Sequence, residues 1–87
     1  MEFEIKYIQG WDVYFAKFDN SIKIRILKAL ERLKFKSTTK HLEYELPFFV
    51  EEVGKYRIAF KHDSASNVKE VYFVGDHKQY DKWTHSQ

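Results

Sequence analysis

The chain has 87 residues, a formal net charge of +2 and a pI near 8.8, which together exclude a multidomain chain and a strongly basic nucleic-acid binder. Its 44% hydrophobic and 18% aromatic content excludes a disordered polymer, and the absence of cysteine excludes disulfide and thiol chemistry. No stretch of ~18 apolar residues is present, and Met1-Glu-Phe-Glu-Ile5 has neither the basic start nor the apolar centre of a signal peptide. The expectation is one domain over 1–87, cytoplasmic and without a membrane partner.

Glu2 to Ile8 alternates, with Phe3, Ile5 and Tyr7 on one side and Glu2, Glu4 and Lys6 on the other, the period of a half-buried strand. Gln9-Gly10 interrupts it. Trp11, Tyr14, Phe15 and Phe18 then recur at helical spacing and predict a short amphipathic helix. Asp19-Asn-Ser21 supplies capping oxygens for the next helix, expected over Ser21 to Phe35. There Ile22, Ile26, Ala29, Leu30 and Leu33 form the buried stripe. The helix closes on lysines, the charge that suits its carboxyl end.

Ser37-Thr-Thr39 reads as a loop, and Pro47, which cannot donate to a sheet, stands just before the next strand, Phe48 to Val53. Gly54-Lys55 is a tight turn, and Tyr56 to Lys61 alternates again. His62 to Asn67 is a polar hairpin loop before a last strand over Val68 to Val74. The eight phenylalanines and six tyrosines suit a pleated surface. The fold class is therefore α+β, in the order β-α-α-β-β-β. Two helices pack on one face of a small, mainly antiparallel sheet whose last three strands form a meander.

At Gly75 the apolar pattern gives way to Asp76, His77, Lys78, Tyr80, Asp81 and Lys82. Polar chemistry at the carboxyl end of a strand is a common way to mount a site on a rigid sheet. The turn Gly54-Lys-Tyr-Arg-Ile58 resembles the Gly/Asp-x-Tyr-Arg-Ile/Val signature after the second strand of the RelE/ParE superfamily of toxins from toxin–antitoxin pairs. The ending Gly75-Asp-His-Lys-Gln-Tyr-Asp81 is similar to the Gly-x-His-x-x-Tyr-Asp pattern of its HigB-like and RelE-like branches. With the element order, the resemblance spans essentially the whole chain.

That resemblance implies a toxin of a type II pair: a ribosome-dependent endoribonuclease, or mRNA interferase, that cuts translated mRNA without metal and is neutralised by a cognate antitoxin. It implies that Arg57 binds the scissile phosphate and that His77 and Tyr80 occupy the family's proton-transfer positions. Where RelE proteins carry second-strand lysines, this chain has Phe48 and Val50. A non-catalytic binding module of the same fold, paired with an antitoxin-like protein, and a ParE-like gyrase poison are the alternatives.

The residue chemistry is compatible with the first reading. Metal-free RNA cleavage needs a base for the 2′-hydroxyl, a cation for the phosphate and an acid for the leaving oxygen. A guanidinium matches phosphate with two parallel hydrogen bonds, although Arg57 could equally be a surface ion-pair arginine. An imidazole such as His77 serves as acid or base near neutrality, or simply hydrogen-bonds at a strand end. Tyr80 would need the field of Lys78, Lys82 and Arg57 to act as a base, and otherwise is a packed ring. Lys34, Lys36, Lys40 and His41, with Lys55, Lys61, Lys78 and Lys82, form an expected RNA track or a solvated charge run. Lys69 belongs to the same basic region in sequence, and Trp83 is expected to tether the chain's end. Scattered histidines and no cysteine argue against a zinc site, and without a glycine-rich phosphate loop or nucleophile elbow no cofactor is expected.

Overall fold

A turn whose first residue is left-handed starts the part of the fold that matters most. Gly54 has φ 60°, a conformation that side chains with a Cβ resist, and it closes a two-residue hairpin between β2 (Phe49–Val53) and β3 (Tyr56–His62). Such a short turn fixes the register of the strands it joins: Val53 faces Tyr56, Glu52 faces Arg57, and Val50 faces Ala59. The structure, a computed structural model, describes residues 2–36, 48–62 and 65–86.

Among these residues a four-stranded sheet runs in the order β1-β4-β3-β2. β1 (Glu4–Tyr7) lies parallel to β4 (Val68–Asp76), and β4, β3 and β2 are the expected antiparallel meander. Helices α1 (Trp11–Phe15) and α2 (Asn20–Leu33) follow β1. α2 starts one residue earlier than expected because Asp19 is its N-cap, accepting from the Ile22 amide at 3.0 Å and the Ser21 hydroxyl at 2.7 Å. Those bonds hold the Asp19 carboxyl below its usual range. α1 ends at Phe15, sooner than the ring spacing implies, and Phe18 reaches the core from the following turn, edge-on to Tyr56 at 5.3 Å.

The main core lies between α1, α2 and one sheet face. Ile26, Ala29, Leu30 and Leu33 meet Tyr56, Ile58, Phe60, Val71 and Val74, with Trp11 beside them. The opposite face carries a second cluster of Phe48, Ala59, Phe73, Tyr80 and Trp83. Both faces are occupied because of an element the apolar pattern does not announce: a third helix, α3 (His77–His85), folded back across the second face.

A bulge in β4 feeds that second cluster. Ala59 pairs with Phe73 but Phe60 with Val71, leaving Tyr72 as an extra residue. A bulge re-aims the side chains around it, so Val71 and Val74 serve the first cluster while Tyr72 and Phe73 serve the second. The same shift separates Lys69 in space from the basic region to which it belongs in sequence. Lys69 is fully buried, donating to the carbonyls of Leu33 (2.7 Å) and Lys36 at the end of α2. Its ammonium lies 4.2 Å from the Phe3 ring centre. Burial pushes its pKa down.

Candidate active site

The site is built where β2, β3 and the start of α3 meet. Arg57 lies on the α3 side of β3, since its neighbours Tyr56 and Ile58 point into the first core. Its guanidinium stacks 4.7 Å above the Tyr80 ring centre, a cation–π contact that also flattens the fork against a fixed surface. Tyr80 is 2% exposed. The ring is thus the floor on which Arg57 rests.

Glu52, opposite Arg57 in register, brings a carboxylate oxygen to 3.8 Å from the arginine Nε. The contact is an ion pair too long for a hydrogen bond, and the buried Nε has no hydrogen-bond partner. The Glu52 side chain is 57% exposed and that of Arg57 23%. Glu52 was absent from the sequence-based site, yet the signal was present: a two-residue turn at Gly54-Lys55 pairs position 52 with position 57 by counting outward.

His77 is not at a strand end but is the first residue of α3, and it is exposed. α3 begins with a reciprocal cap: the Asp76 carboxylate accepts from the Gln79 amide at 2.9 Å, and the Gln79 side chain accepts from the Asp76 amide at 2.8 Å. Asp76 is thereby a helix cap. His77 lies one turn ahead of Tyr80 on α3. Gly75, opposite Arg57 in register, lets α3 turn back so tightly. A Cβ there would fall 2.6 Å from the Phe73 ring and 2.9 Å from Gln79 Cβ. At its far end α3 is pinned by Trp83, stacked on Phe73 at 5.0 Å and edge-on to Phe48 at 4.9 Å. Trp83 is the tether the sequence implied.

No family model matches the sequence, and no curated protein matches it. Solved structures do. The chain superposes on a free-state mutant of E. coli toxin RelE with a TM-score of 0.77 at 12% identity, covering 97% of this chain and 93% of that one. A chain of the RelBE2 toxin–antitoxin complex from Mycobacterium tuberculosis gives 0.71 at 12% identity, over 88% and 100%. One from the RelB–RelE antitoxin–toxin complex of Methanococcus jannaschii gives 0.69 at 15%, over 90% and 96%. The chain has the RelE fold. On this RelE scaffold the expected order β-α-α-β-β-β holds, with α3 added at its end.

The expected RNA-track residues divide sharply. Lys34 is paired with Glu31 at 3.0 Å, which raises its pKa. Lys36 donates to both oxygens of the largely buried Glu51, at 3.1 and 3.0 Å. Both lysines are thus paired with carboxylates of the chain itself, Lys34 with an exposed one and Lys36 with a largely buried one. Lys40 and His41 lie outside the described residues. Lys55 is at the β2–β3 turn, Lys78 is exposed beside His77, and Lys61 stands on the same sheet face as Arg57. Lys82 faces a different hollow, of about 450 Å³, between α1 and α3, which Tyr14, Lys17, Phe73 and Trp83 also line. None of Arg57, Glu52, His77 or Tyr80 borders that hollow. No group of three His, Asp or Glu able to hold a metal occurs among the described residues, and no helix there is long and apolar enough to cross a membrane.

Proposed function

We propose that this chain is the toxin of a type II toxin–antitoxin pair and cleaves ribosome-bound mRNA by acid–base chemistry. The observation that carries the proposal is the Arg57 guanidinium, stacked on Tyr80 and ion-paired with the Glu52 carboxylate, with His77 one helical turn before Tyr80 on α3. Arg57 binds the scissile phosphate and stabilises the charge that grows on its oxygens. Glu52, exposed next to that cation, takes the 2′-hydroxyl proton. His77 gives a proton to the departing 5′-oxygen. Tyr80 is a positioning residue, holding the guanidinium plane where the phosphate must dock. The structural likeness to RelE toxins and to chains of RelB–RelE complexes supports this reading.

A cognate antitoxin is the partner the reading requires. On the outer face of α2, Ile24 and Leu27 are 52% and 47% exposed, apolar positions that an amphipathic partner segment would cover. Expression of the chain alone should arrest growth, and Arg57→Ala should relieve the arrest without loss of soluble protein. Arrest of equal depth by both proteins sinks the assignment.

A further inference from the structure

We propose that the sheet face carrying Arg57 holds a second nucleotide subsite, formed by Lys61 and Tyr72, that grips single-stranded RNA away from the cleaved bond. The inference rests on the ribonuclease reading and extends it to substrate length. Strand alternation places Arg57, Ala59 and Lys61 on one face of β3. At ~3.3 Å per residue the two cations are about 13 Å apart along the strand. Stacked nucleic acid carries a phosphate every ~3.4 Å along each strand, and an extended strand spaces them further apart. The gap therefore spans roughly two to four phosphates.

The bulge makes this subsite. As the unpaired extra residue, Tyr72 is turned onto the α3 face instead of into the main core. It packs edge-on to Phe48 at 5.3 Å while staying half-buried, so part of the ring remains open. The Lys61 ammonium lies 5.0 Å from the Tyr72 ring centre and 5.2 Å from that of Phe48. Among the described residues Lys61 makes no ion pair, although Glu70 stands opposite it in register. A half-open ring with an ammonium that pairs with no carboxylate among the described residues is the minimal platform for one nucleotide: the base stacks and the phosphate meets the cation. Val50, half-buried on the same face between Glu52 and Phe48, leaves the path between the two cations apolar. In this arrangement the far subsite, not a lysine on β2, supplies the added grip.

The test is a binding titration by fluorescence anisotropy with 2′-O-methyl oligoribonucleotides, which cannot be cleaved. One is a dinucleotide covering the Arg57 site and the other a hexanucleotide reaching Lys61. The wild-type chain should bind the hexamer about tenfold more tightly, in line with stacking of one base. Tyr72→Leu and Lys61→Gln should each remove most of that gain, Tyr72→Phe should keep it, and none should alter dinucleotide affinity. The proposal is overturned if the hexamer gains nothing, or if Tyr72→Leu binds it like wild type. It is equally overturned if these variants weaken only binding of an antitoxin segment, because the face would then be a protein dock. Arg57→Ala separates the two readings: it should weaken dinucleotide and hexamer together. If it weakens neither, the cleavage site itself is misassigned, whatever Tyr72 does.

Discussion

Replacing Glu52 by glutamine removes one negative charge and one candidate base while keeping the side chain's shape. The carboxylate lies 3.8 Å from Arg57 Nε, a separation at which two unit charges attract by about 1 kcal/mol in a water-like dielectric and about 4 kcal/mol at an effective value of 20. Glu52 is more than half exposed, so the lower figure applies and solvent screens it further. Glu52→Gln should therefore leave the melting temperature nearly unchanged. It should tighten phosphate binding by up to about fivefold, because Arg57 loses a competing anion. Loss of a positioned base costs on the order of 10²–10⁴ in rate, so single-turnover cleavage should fall by that factor despite the better binding. Quench-flow kinetics on ribosomes programmed with a defined message, alongside RNA-binding titrations, separate the two effects. A variant that binds more tightly and cuts at the wild-type rate would refute Glu52 as the base and leave it only an attenuator of Arg57.

Other consequences concern the supports of the site. Tyr80→Leu keeps the second cluster filled but removes the aromatic floor beneath Arg57; cleavage should drop roughly ten- to a hundredfold with little change in fold, as circular dichroism would show, while Tyr80→Phe should stay close to wild type. Gly75→Ala should destabilise the chain by about 2 kcal/mol or more, because the new methyl collides with Phe73 and Gln79; urea unfolding reads this directly, and a neutral result would mean that α3 is not held against β4. Lys69→Met strips two backbone carbonyls of their donor at the buried end of α2 and should cost about 2–4 kcal/mol, measured by thermal unfolding. Because burial lowers the native pKa of Lys69, the unfolded chain holds its proton longer. Titration of Lys69 therefore adds stability that is complete above about pH 10.5 and is lost as pH falls through the lowered native value. Unfolding titrations of wild type and Lys69→Met should differ in slope only between the lowered native value and about pH 10.5, and run parallel on either side of that window.

Much of this architecture follows from local pattern. Alternation in Glu2–Ile8 and Tyr56–Lys61, the apolar stripe of α2 and the Asp19 cap are short-range features, and they lead to the right elements in the right order. α3 escapes because its apolar content is thin, although Asp76 and Gln79 stand at capping-box spacing, the mark of a helix start. Lys69 escapes for a different reason. Its face depends on a bulge at Tyr72, set by how two strands pair and not by the residues of β4 alone. Arg57 could be singled out from its turn motif, but Tyr80 becomes its floor only once α3 folds back. The role of Lys34 and Lys36 also turns on distance: Glu51 is far from Lys36 in sequence and adjacent in space. Charge runs report composition, whereas availability depends on which carboxylates the fold brings near.

The most direct measurement is toeprinting of ribosomes stalled on a test message, with purified wild-type chain and with Arg57→Ala. The account requires cuts within the A-site codon in the first case and an intact message in the second. An uncut message with the folded wild-type protein, or equal cutting by both, would contradict it and leave a RelE-fold binding module in its place.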